Sequence, residues 1–305
     1  MGKSCIFTEF NMNVLSTCPL CSSSEITPFL KTSDFSITRE EFEIFTCRQC
    51  TFKFTQPQPP PEKLGSYYNS EEYISHSDTE KGIIAKLYQY VRRITVKSKI
   101  RLLNRYSPKG KLLDFGAGTG FFVKNAMVNH WSAVGIEPEE KARIIAKEKN
   151  GVTIFKPDEM DTLEKEKFQV ITLWHVLEHV VNLHETIEKF HNLLKPGGWL
   201  FIAVPNHLSW DSKVYERYWA AWDVPRHLWH FNPIAMRLLM AKHNFYIINK
   251  HPLWFDAFYV SMLSEKYKHG KTRLLSGALR GLISNLIAVA NTNLCSSVVY
   301  VLKKG

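Results

Sequence analysis

The sequence carries few of the marks of an exported, membrane-spanning or fibrous protein. Six cysteines in 305 residues are too few for a disulfide scaffold. The opening residues MGKSCIFTEF lack the apolar core of a secretory signal, so nothing there marks the chain for export and the cytoplasm is the default compartment. The longest uncharged run, Gly281 to Leu302, is interrupted by Asn285, Asn291, Thr292, Asn293, Ser296 and Ser297, a polar centre at odds with hydrocarbon. No internal repeat appears. Hydrophobic residues at 45% and charged residues at 22% sit near globular averages, which removes collagen-like, coiled-coil and wholly disordered readings.

Acid is the scarcer charge: 39 Lys and Arg against 29 Asp and Glu leave a formal +10, which on its own invites a nucleic acid or an anionic membrane. The distribution weakens that invitation. Thr79 to Gly110 holds nine basic residues against one acid, whereas residues 1–60 hold five against six. The excess is therefore concentrated in one segment, with a smaller excess after His251.

The stretch QPQPPP, Gln56 to Pro61, can continue neither a helix nor a central strand and divides the chain. Residues 1–60 read as a small β module with its linker, containing strand-like runs at Phe42 to Thr46 and Thr51 to Thr55. Residues 61–109 form a linking segment and an amphipathic helix, Glu80 to Tyr106, with apolar residues at helical spacing. Residues 110–305 form the larger domain. There, strands at Lys111–Phe115, Ser132–Ile136, Val152–Phe155, Phe168–Leu173 and Trp199–Val204 alternate with helices at Phe121–Asn129, Glu139–Lys149 and Leu183–Leu194, and a KPGG turn at Lys195 to Gly198 precedes the fifth strand. Such alternation predicts an α/β fold with a doubly wound, mostly parallel sheet. A helix at Pro233–Lys242, a strand at Phe245–Asn249 and a closing strand at Ser297–Leu302 follow. Between the last two strands, Phe255–Lys266 and Thr272–Ala290 read as a helical insertion at about 254–294, either a cap or a membrane-surface patch.

Residues 112–120 read LLDFGAGTG: a strand, an acid at its carboxyl end, then Gly116, Ala117, Gly118 and Gly120 leading into a helix. Missing side chains let a ligand approach the backbone, and a helix N-terminus offers N–H groups. Glu137 ends the next strand in VGIEP, where a carboxylate can accept both hydroxyls of a ribose. NAD uses the same geometry. However, the glycines run GxGxG, and Asp114 stands where it would repel a pyrophosphate. S-adenosylmethionine, with an amino-acid end and a ribose but no phosphate, fits better.

LLDFGAGTG, VGIEP, the PDEM of Pro157 to Met160 and FQVITLWHVLEHV of Phe168 to Val180 together resemble the class I S-adenosylmethionine-dependent methyltransferases. The LKPGG turn followed by LFIAVPN is similar to the branch containing ubiquinone-biosynthesis O-methyltransferases. The resemblance covers roughly Gly110 to Asn249 plus the last strand. It implies a seven-stranded Rossmann-like sheet whose final strand is antiparallel. It also implies that Asp114 and the glycine backbone, Gly116 to Gly120, hold the methionyl end, Glu137 and Pro138 the ribose, and Asp158 and Glu159 the adenine edge. Trp174 and His175 would line the same pocket.

Cys18 and Cys21 in CPLC and Cys47 and Cys50 in CRQC are two CxxC pairs set well apart in the chain, the spacing of a closed structural zinc site in a zinc-ribbon-like module. Such a module has too little core of its own, so metal would supply much of its folding energy. Cys5 and Cys295 fall outside the pattern. An N-terminal zinc module ahead of this kind of domain resembles sugar C-methyltransferases of deoxysugar pathways, and suits a lid or docking role.

Methyl transfer to a hydroxyl or carbon acid needs aligned partners and a base. His175, a candidate base at the carboxyl edge of the sheet, and His179 share helical spacing with Glu178 between them. His184 makes a poor third ligand, which argues against a metal there. WAAWDVPRHLWHF, Trp219 to Phe231, concentrates aromatics and charge: Trp219, Trp222, Trp229 and Phe231 as pocket walls, Arg226 for an anionic substrate, His227 or His230 as base, with His227 preferred. Tyr73 or His76, in the segment Tyr67 to Asp78, is a further candidate to fold over the cofactor. The expected function is methyl transfer to an O or C nucleophile of a small molecule such as a sugar, quinone or phenol. An RNA methyltransferase using the basic helix against phosphates, or a non-catalytic S-adenosylmethionine-binding scaffold, are the alternatives.

Overall fold

The computed structural model describes residues 12–68 and 83–305. Cys5, Tyr73 and His76, and the expected helix start at Glu80, lie outside them. The main sheet has seven strands: β4 (Lys111–Phe115), β5 (Ser132–Ile136), β6 (Ile154–Phe155), β7 (Phe168–Trp174), β8 (Leu194–Pro205), β10 (Phe245–Pro252) and β11 (Ser297–Lys304). Their order across the sheet is β10-β11-β8-β7-β4-β5-β6. The five from β4 to β8 are mutually parallel, and β11 enters antiparallel between β8 and β10.

Alternation along each strand divides the core in two. Leu113, Ile171, Ile202 and Leu302 face one side of the sheet, where α5 (Leu183–Leu193) and α7 (Pro233–Lys242) cover them. Leu112, Val170, Phe201 and Val301 face the other, under α2 (Ile83–Tyr106), α3 (Phe121–Val128) and α4 (Glu140–Asn150). A strand covered on both faces reads as a continuous apolar run, as LLDF and VITLW do. α8 (Trp254–His269) and α9 (Leu274–Ala290) form the helical insertion between β10 and β11.

The KPGG segment differs from expectation. It is no turn between elements but part of β8, where Leu194 pairs with Phe168 and Trp199 with Val170. The extra residues bulge out of the ladder, and Gly197 takes the left-handed conformation (φ +67) the bulge needs.

The N-terminal sheet contains β1 (Ile26–Ser33), β2 (Glu41–Cys47) and β3 (Lys53–Gln56), and its fourth strand, β9 (Trp229–His230), comes from the larger domain. Lys53 pairs with His230 and Phe54 with Trp229. Phe52, Phe54 and Leu20 also share one apolar cluster with the main sheet. The small module is thus docked on the segment containing His227. α1 (Pro61–Leu64) and a 3-10 turn (Gly65–Tyr68) lead away from it.

Candidate functional site

The carboxyl ends of β4, β5 and β7 meet at one edge of the sheet. Register sets Asp114 beside Thr172, whose hydroxyl donates to Asp114 Oδ1 at 2.6 Å. Burial drives Asp114 up to about 7, opposed by Thr172 and by the charge of Lys99. Gly116, Gly118 and Gly120 all have positive φ. A Cβ at Gly116 would lie 2.3 Å from Val176, and one at Gly120 2.4 Å from Val152, so the loop lies flush against its neighbours.

The loop's first N–H groups are engaged within the protein. Gly116 and Ala117 both donate to Ile136 O, and Gly118 donates to Glu137 Oε2 at 2.8 Å while Glu139 donates to Oε1 at 3.0 Å. The second acid is thereby fixed against the glycine turn. Burial raises its pKa. Pro138 is exposed next to it, and Arg143 donates to both the Glu137 and Pro138 carbonyls. In the turn after β6, Glu159 folds back to accept the Lys156 N–H at 2.6 Å. Of the two acids expected at the adenine edge, it is therefore Asp158 that stays exposed to reach a ligand.

Lys99, from the basic helix α2, is a residue sequence reasoning passed over. Its ammonium lies 4.3 Å from the centre of the Trp174 ring, and burial lowers its pKa to about 8 against the pull of Asp256 and Asp114. The indole Nε1 of Trp174 is buried without a hydrogen-bond partner. A cation and an orphaned donor beside a buried carboxylate suit a zwitterionic ligand, and Glu137, fixed at the glycine turn, supplies an acid suited to a ribose.

His175 follows directly in the left-handed conformation (φ +61). Its Nε2 donates to Asp256 Oδ2 of α8 at 2.7 Å and its Nδ1 faces Glu178 Oε1 at 3.3 Å. Burial works against the charged ring, but Asp256 and Glu178 outweigh it and raise His175 to about 10. It is cationic at neutral pH, which removes it from the candidate bases. Because the folded pKa lies above the ordinary value, the charged ring stabilises the fold below pH 6.5, and this contribution fades as pH climbs through about 10. Asp256, held low by His175 against burial, loses its contribution only in acid, below its ordinary 3.8. Asp256→Asn should therefore flatten the fall in melting temperature between pH 7 and pH 10. An unchanged slope in a thermal melt series would refute this pairing as its source.

A second cluster lies behind His175. The ligand atoms of Glu178, His179 and His227 all lie within 4.8 Å of one another. His179 Nδ1 donates to Arg226 O at 3.0 Å, with Tyr68 Oη also 2.9 Å away. His227 Nδ1 faces Ala221 O at 2.9 Å, so in its neutral form it carries its proton there. Nε2 is then the lone pair each ring has to offer, and Glu178 Oε2, buried, has no partner. Burial, then the charge of His227, lowers His179 to about 4. Three acceptors face one another: a substrate hydroxyl could donate to one of them, and a divalent cation could be held by all three. The partner of Glu178 and His179 is therefore His227, from a distant part of the chain beyond β8. His184 is engaged with His243 and the Pro19 carbonyl.

Other expectations in the 219–231 segment need correction. Arg226 is not available to a substrate: it is 3% exposed and held by Asp34 and Asp223, the nearest contacts being 2.8 and 2.6 Å. His230 is buried with Nε2 2.9 Å from Thr55 Oγ1. That hydroxyl spends its proton on His227 O, so His230 must donate to it and its Nε2 cannot be a base. Burial also lowers its pKa well below the ordinary value. Trp219, Trp222, Trp229 and Phe231 are buried, and Trp222 packs edge-on to both Trp219 and His230. These rings pack the segment and do not wall an open pocket.

In the N-terminal module the four cysteines converge as their spacing suggests. Cys18 Sγ lies 3.5 Å from Cys50 Sγ, and Cys21 Sγ 3.5 Å from Cys47 Sγ; all four lie within 4.8 Å of one another. The two knuckles are built alike. Ser22 and Thr51, each closing the turn begun by the first cysteine of its pair, have φ near +60 and donate their N–H to that cysteine's carbonyl. Cys295 is buried elsewhere and bonds the carbonyls of Thr292 and Ser297.

A family model described as a methyltransferase domain matches residues 88–250. An uncharacterized protein of Methanocaldococcus jannaschii is 33% identical over 124 residues, 40% of this chain and 58% of that protein. A ubiquinone biosynthesis O-methyltransferase of Chelativorans sp. is 35% identical over 103 residues, 32% of this chain and 40% of that protein. The chain spans about half the length of the curated relatives it matches. Among solved structures, the magnesium protoporphyrin IX methyltransferase of Synechocystis aligns over 81% of this chain and 100% of its own, with a TM-score of 0.54 at 14% identity. This last likeness is one of fold.

Proposed function

Because this chain belongs to the methyltransferase-domain family, we propose that it moves a methyl group from S-adenosylmethionine to an oxygen or carbon nucleophile of a small molecule. The observation that carries the reading is the set of clustered acceptors, Glu178 Oε2, His179 Nε2 and His227 Nε2, next to the glycine turn. Val176, which touches Gly116, lies just ahead of Glu178 in the same loop.

When bound, S-adenosylmethionine supplies an electrophilic methyl on a sulfonium. Asp114 would hold its amino group, Lys99 and Trp174 its carboxylate, Glu137 its ribose and Asp158 its adenine edge. His227, its Nδ1 tied to Ala221, takes the acceptor's proton on Nε2. The cationic His175 keeps Glu178 ionised, and that charge favours the imidazolium formed on His227. A quinone or phenol, in line with the ubiquinone-biosynthesis relatives, or a sugar, is the acceptor class.

The test is label transfer from methyl-tritiated S-adenosylmethionine into a metabolite extract, with the product identified by mass. Cofactor retention without any labelled product would contradict the reading. Glu137→Ala should weaken cofactor binding about ten- to a hundredfold in calorimetry, because two ribose hydroxyls lose a shared charged acceptor worth roughly 1.5–3 kcal/mol. Unchanged affinity would remove Glu137 from the site.

The four cysteines are the proposed ligands of a structural zinc ion. Thiolates at about 2.3 Å around a tetrahedral ion lie roughly 3.8 Å apart, close to the sulfur spacing here, and four sulfurs leave no position for a reacting water. A second reading, an RNA acceptor, draws on Arg93, Lys97, Arg101 and Arg105, which recur every fourth residue along α2 and are exposed. It predicts RNA binding that weakens steeply with salt.

A further inference from the structure

Helix α9 is inside out for a helix in water. Its buried residues are Gly277, Gly281, Ser284 and Ala288, while Leu275, Leu279, Leu282, Leu286 and Val289 are exposed, Leu275 at 88%. Alternating steps of four and three along the chain place these five large side chains on one face. The small face is used for close approach: a Cβ at Gly277 or Gly281 would come within 2.8 Å of the α8 backbone at Met262 or Phe258. Leucines that could have filled that interface point away from the protein.

The patch continues onto α8. Trp254, Phe255 and Tyr259 are exposed, and Asn285 donates to Trp254 O at 2.8 Å, joining them to the Leu286 end of the stripe. At the other end, the last turn of α8 and the connection to α9 expose Lys266, Lys268, Lys271 and Arg273. Among the described residues none of them pairs with an acid: the sequence has no Asp or Glu after Glu265, and Glu265 is buried against Tyr215, Ser276 and Arg280.

We propose that the α8–α9 hairpin docks on an anionic lipid surface, with α9 lying in the interface plane. An apolar stripe rimmed by uncompensated cations complements a surface that is apolar in depth and negative at its headgroups. The same face of a second copy would meet these cations with cations of its own. No helix among the described residues is long and apolar enough to cross a membrane, so the contact is peripheral.

The full chain should cosediment with vesicles of phosphatidylcholine mixed with phosphatidylglycerol, and at least tenfold less with phosphatidylcholine alone. L279E/L286E should reduce binding at least tenfold, and K268Q/K271Q by about fivefold per lysine. All four positions are exposed, so the melting temperatures should stay at the wild-type value. Protein that remains in the supernatant with both vesicles, or an L279E/L286E variant that binds as wild type does, would overturn the assignment. A wild-type dimer in sedimentation equilibrium that L279E/L286E dissociates, without vesicle binding, would give the face to a second copy instead. Neither readout depends on methyl transfer, so failure here leaves the catalytic reading standing.

Discussion

Cys47→Ser should abolish stoichiometric zinc and unfold the N-terminal sheet, with a large fall in melting temperature. Structural zinc contributes about 10–16 kcal/mol of apparent binding free energy in small peptides, comparable to the whole stability of a typical domain at about 5–15 kcal/mol. The effect should not stay local. Cys18, Cys47 and Cys50 share an apolar cluster with Phe52, Phe54 and Trp229, and β3 pairs directly with β9. Thr55 holds the His227 carbonyl at 2.6 Å, so a loosened module also releases the segment that presents the proposed base. Metal analysis with calorimetry decides this: full zinc content and an unaltered melt would exclude a structural site.

His227→Ala should lower turnover by about a hundred- to ten-thousandfold, the usual share of a general base and equal to roughly 3–5 kcal/mol of barrier, with cofactor affinity unchanged. The two halves of that expectation separate the base from a packing residue. His227 touches none of the groups assigned to the cofactor, so a loss of affinity would mean collapse of the 219–231 segment, whereas retained turnover would place the base elsewhere. His230→Ala, removing a ring that donates to Thr55, should instead lower the melting temperature.

What the sequence made legible is what depends on short-range pattern. The LLDFGAGTG turn, the strand-helix alternation and the paired CxxC knuckles each reside in a few contiguous residues whose backbone needs are strict. The KPGG bulge escaped because glycine and proline signal a local bend without saying whether the ladder resumes beyond it. β9 escaped because two residues carry no periodicity; it exists only because β3 leaves an edge to pair. Arg226 looked like a substrate ligand because its counter-charge Asp34 lies 192 residues away. Lys99 was lost among its basic neighbours, since which cation of a helix turns inward depends on the angle at which α2 meets the sheet. The meeting of His227 with Glu178 and His179 is of the same kind, set by tertiary packing between segments with the whole of α5 and β8 between them.

The position of β11 bears on how the molecule breathes. Val298 to Leu302 are buried almost completely, and the strand is bonded on both flanks, to β8 and β10. Opening it means parting two ladders at once, so its amides should be among the last to take up deuterium. The two-residue rim strand β6, bonded on one flank only, should exchange among the first, leaving that rim of the sheet the more pliant one.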